Sequence, residues 1–153
     1  MRKKRIMIIG ASKSGKTTLA SILEGQEILR KTSSMVYRTV TIDVPSAYLE
    51  CPWMRHHIIA AAQDASCVVM LADATRTRKV YPPGFAKVFQ VPVIGIITKC
   101  DMRMKEDRSN RIRSRKELVT VGLLEPFDEV DLKNARDIEK LKHKFQKYIN
   151  TDQ

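Results

Sequence analysis

The chain has few of the residues that mark secreted, metal-stapled or fibrous proteins. Its 153 residues include six glycines, six prolines and three cysteines, and aromatic residues make up 6%. Cys51, Cys67 and Cys100 are widely spaced, odd in number and in no metal-binding pattern. We interpret them as reduced thiols, and Cys67 as a core residue. These scarcities exclude a disulfide scaffold and a zinc-finger module.

Long hydrophobic runs are also lacking. No stretch approaches the roughly 18 consecutive apolar residues of a membrane-spanning helix. Only Ile6 to Ile9 follow the basic start before Gly10, too short a run for a signal peptide. The length is that of about one domain. The sequence therefore predicts a single cytoplasmic domain over residues 1–153, with no transmembrane segment.

Acidic residues are the third deficit, because 28 Lys and Arg face only 17 Asp and Glu, for a net charge of +11. Such an excess attracts anionic partners. The positive charge is concentrated in two stretches, residues 2–5 and a stretch between 103 and 116. We interpret the second stretch mainly as a solvated helix face. The lack of interleaved aromatic residues argues against nucleic acid as the partner. The second stretch contains Arg103, Lys105, Arg108, Arg111, Arg113, Arg115 and Lys116.

Apolar runs alternate with helical patterns along the whole chain. This alternation predicts an α/β fold, a three-layer sandwich whose mostly parallel sheet of five or six strands has helices on both faces. The predicted strands are 5–9, 39–42, 67–72, 93–98 and 127–130. The predicted helices are 16–23, ended by Gly25, then 54–65, 112–121 and a last helix capped by Asn134.

The segment Gly10-Ala11-Ser12-Lys13-Ser14-Gly15-Lys16-Thr17 matches the phosphate-loop pattern G-x-x-x-x-G-K-[ST] at every fixed position. Its glycines let the backbone N–H groups point at phosphate oxygens, and the following helix adds its positive dipole end. The charge of Lys16 suits the β- and γ-phosphates, and the Thr17 hydroxyl suits Mg²⁺. The predicted nucleotide-binding residues here are Gly10, Ser12, Lys13, Ser14, Gly15, Lys16, Thr17 and Thr18.

Thr98-Lys99-Cys100-Asp101 ends the strand 93–98 and fits the [NT]-K-x-D element of guanine-nucleotide proteins. Ligands in open α/β sheets bind at the carboxyl ends of strands, where this element falls. The Asp101 carboxylate can accept two hydrogen bonds from the N1–H and N2–H₂ edge of guanine. The stem of Lys99 can lie across the base. We therefore predict GTP or GDP rather than an adenine nucleotide, with Thr98, Lys99 and Asp101 at the base.

Two further residues are predicted as Mg²⁺ ligands beside Thr17. Asp43 ends a strand where a Walker-B-type carboxylate would hold the ion, through water. Thr32 lies in a polar loop and could supply a hydroxyl. Ser33, Ser34 and Thr39 compete with it for that role, and a solvated loop threonine is the other interpretation.

With these elements in place, the chain resembles the small Ras-like P-loop GTPases of the EutP/PduV family, which are associated with ethanolamine- and propanediol-type bacterial microcompartments. The resemblance covers nearly the whole length. It implies a cytoplasmic, microcompartment-associated protein that binds GTP with Mg²⁺ and hydrolyses it. The segments that carry it are the Arg5 strand with the phosphate loop, Arg30-Lys31-Thr32, Asp43-Val44-Pro45 with Tyr48, Pro83-Gly84-Phe85, Pro92-Val93-Ile94-Gly95 and Thr98-Lys99-Cys100-Asp101.

The chain departs from the family pattern beside the γ-phosphate. Where such GTPases carry Asp-x-x-Gly, it has Ser46, and the next residue is Ala47, so no glutamine follows to orient water. Hydrolysis is expected to be slow or partner-dependent, and no catalytic residue is assigned. Arg55, Arg76 and Arg78 are interpreted as solvated rather than catalytic.

Two alternatives remain open. One is a catalytically lapsed nucleotide-binding scaffold that docks on a microcompartment shell or enzyme partner through its basic surface. The other is a phosphotransferase that acts on a small acceptor such as acetate.

Overall fold

The sheet has six strands in the order β2-β3-β1-β4-β5-β6, in a computed structural model that describes residues 5–27, 33–76, 78–100 and 107–149. All neighbouring strands run parallel except β2, which is antiparallel to β3. The strands are β1 (Arg5–Ile9), β2 (Val36–Tyr37), β3 (Thr41–Asp43), β4 (Ala65–Asp73), β5 (Val93–Thr98) and β6 (Asp128–Glu129).

Within the described residues, five α-helices and two 3₁₀ turns accompany these strands. The helices are α1 (Lys16–Glu24), α2 (Ser46–Glu50), α3 (Arg55–Ala62), α4 (Asp107–Thr120) and α5 (Ala135–Ile149). The 3₁₀ turns are Pro52–Met54 and Phe85–Val88. None of the helices in the described ranges has the length and apolar character needed to cross a membrane.

Successive residues of β1 enter two different cores, because side chains alternate across a strand. Ile6 and Ile8 pack into a cluster with Leu19 of α1 and Phe145 of α5. Met7 and Ile9 pack on the other face into a cluster that contains Ile58 of α3, Leu118 of α4 and Leu49 of α2. Helices therefore cover both faces of the sheet, and the predicted three-layer α/β sandwich is confirmed.

The ends of α1 and α5 follow the predicted signals. Gly25 has a φ of 72° and its N–H donates to the carbonyl of Ser21 at 3.0 Å, which ends α1. The Asn134 side chain accepts from the N–H groups of Arg136 at 2.9 Å and Asp137 at 3.2 Å, so it caps α5.

Other boundaries differ from the predictions. The predicted strand 39–42 is shifted, since β3 begins at Thr41, and the predicted helix 54–65 ends at Ala62 because β4 already begins at Ala65. Both β2 and α2 were missed. They have two and five residues, too short for a periodic pattern to reveal.

Glu24, the last residue of α1, fixes the start of β3. Its carboxylate accepts from the N–H groups of Val40 at 2.9 Å and Thr41 at 3.0 Å, and from the Thr41 hydroxyl at 2.9 Å. Because β3 also pairs with β1, its carboxyl end at Asp43 comes to lie beside the loop that follows β1.

Candidate functional site

The phosphate loop runs from the end of β1 to the start of α1. Gly15 has a φ of 104°, which disfavours side chains, and a Cβ there would lie 2.8 Å from the Leu132 side chain. A Cβ on Gly10 would lie 2.6 Å from the Ser14 hydroxyl oxygen. Lys13 also has a positive φ, of 64°. The loop thus takes a backbone path that its glycines make possible, as the pattern predicts.

Lys16 lies in the mouth of this loop. Its side chain is buried, and Nζ donates to the carbonyls of Gly10 at 3.1 Å and Ala11 at 2.9 Å. The ammonium group is therefore held over the loop at the N-terminus of α1, where both it and the helix dipole favour an anion.

A cleft of about 310 Å³ opens in front of the loop. It brings together most of the predicted phosphate-site residues, the predicted metal ligand Asp43 and the predicted base-site residue Lys99. Gly10, Ser14 and Thr98 lie behind this lining, and the last two are fully buried. The residues that line the cleft are Ser12, Lys13, Gly15, Lys16, Thr17, Thr18, Ser34, Asp43, Pro45, Ser46 and Lys99.

The base end of the cleft is built from the carboxyl ends of β4 and β5. The Thr98 hydroxyl donates to the Ser14 carbonyl at 2.7 Å and so ties β5 to the phosphate loop. Lys99 has a φ of 59°, and its Nζ lies 3.0 Å from a carboxylate oxygen of Asp73, a side chain that is 2% exposed. Asp101, the predicted guanine-binding residue, lies outside the described residues.

Asp73 is a residue of this end that the sequence reasoning missed. Besides Lys99, it accepts from the N–H of Thr75 at 2.8 Å and from the Thr75 hydroxyl at 2.6 Å. Its position as the residue that ends a buried apolar run was a signal that could have identified it, because such positions lie at the ligand-binding edge of a parallel sheet.

The part of the cleft with the predicted metal ligands contains oxygen atoms of the kind that Mg²⁺ prefers. Thr17 is half-buried, and Asp43 lines the same cleft. One carboxylate and one hydroxyl fit Mg²⁺ bound together with substrate phosphates rather than in an all-protein cage. No group of three or more His, Cys, Asp or Glu able to hold a metal occurs in the described part of the chain. Thr32 lies outside the described residues, whereas its competitor Ser34 lines the cleft.

Asp43 has a partner that the sequence did not reveal. Arg38 Nη1 lies 3.2 Å from a carboxylate oxygen of Asp43, and the two side chains are only 15% and 14% exposed. The pairing of β2 with β3 folds the chain back and brings the two residues together. A metal ion that used this carboxylate would therefore compete with a guanidinium.

Ser46, which stands where the family pattern has the glycine that meets the γ-phosphate, lines the cleft and is the first residue of α2. Pro45 before it is extended, with φ −58° and ψ 142°, and its carbonyl accepts from the Tyr48 N–H at 3.1 Å. Ala47 is exposed and is absent from the lining of the cleft. Neither side chain can orient water as a glutamine does.

The arginines that were interpreted as solvated behave differently from one another. Arg78 is exposed as expected, but Arg55 and Arg76 are half-buried, which corrects that interpretation. Arg55 Nε donates to the Leu49 carbonyl at 2.8 Å, and Arg76 Nη1 donates to the Ser12 carbonyl at 3.3 Å. These bonds hold Arg55 at the end of α2 and Arg76 against the outside of the phosphate loop.

Part of the positive charge of α4 and α5 is paired with carboxylates of β6. Arg111 lies 3.1 Å from the Glu129 carboxylate, and Arg115 pairs with the same carboxylate, which links α4 to β6. On α5, Lys140 and Lys144 pair with Asp128. Burial alone would raise the pKa of Asp128, but the two cations outweigh this effect and hold the pKa below its usual value. These ion pairs link α4 and α5 to β6.

Two buried titratable groups are structural. Burial raises the pKa of the Cys67 thiol to about 12, so it stays protonated as a core residue. Burial and the nearby charge of Glu117 raise the pKa of Tyr81 well above its usual range. Its hydroxyl lies 2.6 Å from the Leu71 carbonyl and 3.2 Å from the Ile9 carbonyl, beneath the phosphate loop.

A mostly parallel sheet with a strand, glycine loop and helix at its carboxyl edge is the fold of the P-loop GTPases. It superposes on the crystal structure of a probable GTP-binding protein, EngB, with a TM-score of 0.62 and 22% identity, covering 95% of this chain and 98% of that one. The chain belongs to the PduV-EutP family, described as ethanolamine utilisation and propanediol utilisation, whose sequence model matches residues 3–147.

Two relatives carry different names. The propanediol utilization protein PduV of Citrobacter freundii is 36% identical over 100 residues, which are 65% of this chain and 67% of that protein. The probable acetate kinase EutP of Escherichia coli K12 is 28% identical over 141 residues, which are 90% of this chain and 86% of that protein.

Proposed function

We propose that this protein binds a guanine nucleotide with Mg²⁺ and serves an ethanolamine- or propanediol-type bacterial microcompartment in the cytoplasm. The observation that carries the proposal is the convergence of the phosphate loop, Asp43 and Lys99 on one cleft. The family membership supports the metabolic setting, since its description refers to the use of these two compounds.

Each part of the cleft has a task in this proposal. Lys16 and the N–H groups at the start of α1 neutralise the β- and γ-phosphates. Thr17 and Asp43 would hold Mg²⁺, directly or through water, and Mg²⁺ would neutralise charge on the phosphates. Lys99, positioned by Asp73, would cover the face of the base, and Asp101 would read its N1–H and N2–H₂ edge.

GTP hydrolysis by this protein is expected to be slow or to need a partner. An attacking water must be oriented toward the γ-phosphorus, and Ras-type proteins use a glutamine for this. Ser46 and Ala47 supply no such group. The cleft therefore supports tight binding with turnover no faster than the intrinsic rate of Ras, about 10⁻⁴ to 10⁻³ s⁻¹.

The guanine assignment is tested by Asp101→Asn. The amide keeps one acceptor but replaces the other by a donor, so GTP should lose about tenfold or more in affinity while xanthosine triphosphate gains. Competition against a fluorescent guanine nucleotide measures both affinities. Glu139→Gln, which makes the same charge change at an exposed position of α5, is the matched control. Unchanged GTP affinity in Asp101→Asn would remove the guanine assignment.

Phosphoryl transfer to a small carboxylate is a second candidate function. The observation that favours it is the lack of a water-orienting group beside Ser46, together with the name probable acetate kinase for a relative that covers 90% of the chain. A carboxylate is already anionic and needs no general base. One of its oxygens would attack the γ-phosphorus as the bond to the β-phosphate oxygen breaks, giving an acyl phosphate and a nucleoside diphosphate.

This candidate can be measured directly. Acetate, Mg²⁺ and GTP or ATP are supplied together with hydroxylamine, which converts any acyl phosphate to the hydroxamate. The hydroxamate should accumulate in proportion to the nucleoside diphosphate formed. Lys16→Ala serves as the control, because it removes the phosphate-binding charge. Diphosphate formation that does not depend on acetate would leave hydrolysis as the activity.

A further inference from the structure

A second cationic site adjoins the nucleotide cleft but is separate from it. Two cavities of about 120 and 360 Å³ share Arg76, Arg78 and Lys79 in their walls, and none of the three lines the nucleotide cleft. We call the positively charged residues of these two cavities the cationic rim. The cationic rim consists of Arg55, Arg76, Arg78, Lys79, Arg113 and Lys116.

The charge of the cationic rim is poorly compensated. Among the described residues, Arg76, Arg78, Lys79 and Lys116 take part in no ion pair. The cavities contain two carboxylates. One of these, Glu117, already accepts from the backbone N–H groups of Val80 at 2.7 Å and Tyr81 at 3.3 Å. That carboxylate holds the segment after Lys79 in place instead of neutralising the side chains.

Arg76 gives a second observation that points to an external anion. Its Nε is buried, yet it has no hydrogen-bond partner among the described residues, while its Nη1 is anchored on the Ser12 carbonyl. A buried guanidinium N–H without an acceptor is costly, and carboxylates satisfy guanidinium groups with paired hydrogen bonds. The anchored side chain is thus pre-organised to receive an acceptor.

We propose that the cationic rim is a docking site for an acidic peptide segment of a protein partner. Its six cations come from three parts of the chain and surround two cavities. One small anion cannot contact all six cations at once, whereas a peptide with several carboxylates can. Trp53 lies in the turn between Glu50 and Arg55, two residues that line the larger cavity. Its side chain is 72% exposed and would add an apolar contact. Tryptophan and arginine are the residues that dominate binding energies at protein interfaces.

Nucleic acid fits this surface less well. Sites for single strands combine a long basic groove with several aromatic side chains on which successive bases stack. The cationic rim is short, and among the described Phe, Tyr and Trp residues only Trp53, at 72%, and Tyr37, at 50%, are strongly exposed. Two carboxylates, Glu50 and Glu117, also interrupt the path that a phosphate backbone would follow.

The test is the binding of a fluorescein-labelled peptide of alternating Glu and Ala residues to the full chain, followed by anisotropy. Arg78→Glu with Lys79→Glu should raise the Kd about tenfold or more, because both residues are exposed members of the cationic rim. Arg136→Glu with Lys142→Glu lowers the net charge equally on exposed positions of α5, and should change Kd about twofold or less.

Trp53 gives a second readout, since it is the one tryptophan of the chain. Its emission should move to shorter wavelength when the peptide binds, in the wild type and in the α5 control variant. Nucleotide affinity should stay unchanged in both double variants, which separates a failure of this proposal from a failure of the nucleotide site. Equal weakening in the two variants would overturn the proposal as a bulk-charge effect. Tighter binding of labelled oligothymidylate than of the peptide would overturn it in favour of nucleic acid.

Discussion

The phosphate loop and the segment from Asp43 to Ser46 line the same cleft, but they match the requirements of a bound nucleotide to different degrees. The loop is complete: Gly15 has the left-handed backbone that the turn requires, and Lys16 is already held over the loop by two carbonyls. In the other segment Asp43 is bound to Arg38, and a serine that starts a helix replaces the pivot glycine. We therefore expect phosphate binding and phosphate hydrolysis to be separable properties of this cleft.

The largest effect on nucleotide binding is expected from a substitution in the phosphate loop. Lys16→Ala removes the charge that faces the β- and γ-phosphates, and we expect nucleotide affinity to fall about 100-fold, the usual cost of truncating one partner of a buried charge pair. Isothermal titration with GTP and Mg²⁺ measures this. Lys142→Ala is the control, because it removes one positive charge at an exposed position of α5 outside the cleft. Equal losses in the two variants would show that the loop holds phosphate by bulk charge.

A smaller effect, on hydrolysis, is expected from restoring the family pattern at Ser46 and Ala47. Ser46→Gly with Ala47→Gln restores a flexible pivot and an amide that can orient water, so single-turnover GTP hydrolysis should rise about tenfold. Nucleotide affinity should change little. Ala60→Gln adds the same side chain at an exposed position of α3 outside the cleft and should have no effect. A double variant no faster than the wild type would mean that this segment does not limit hydrolysis.

The smallest effect concerns the metal. Arg38→Gln removes the cation that competes for the Asp43 carboxylate, so the Mg²⁺ concentration for half-maximal GTP binding should fall roughly threefold, as expected for one partly buried pair. Arg78→Gln, which removes an exposed arginine that forms no ion pair with a described residue, is the control. If Arg38→Gln instead needs more Mg²⁺, the guanidinium supports the site and the competition is disproved.

The sequence predicted the complete end of the cleft better than the incomplete one, for a physical reason. Phosphate binding depends on a contiguous segment whose glycines, lysine and following helix are visible in order, and Lys16 and Gly15 lie where the pattern places them. The same holds for β4 and β5, whose buried runs are continuous. The Arg38–Asp43 pair depends on the antiparallel pairing of β2 with β3. Because β2 has only two residues, no local sequence pattern predicts this pairing. Arg76 and the cationic rim likewise arise from parts of the chain that only the fold brings together.

The most direct test of the separation between binding and cleavage follows one radiolabelled GTP sample. GTP labelled on the γ-phosphate is mixed with an excess of the protein and Mg²⁺, and protein-bound label and released phosphate are measured over time. We predict that the label binds at once and that phosphate appears at about 10⁻³ s⁻¹ or more slowly. Release within seconds, or no retention of the label at all, would contradict the account.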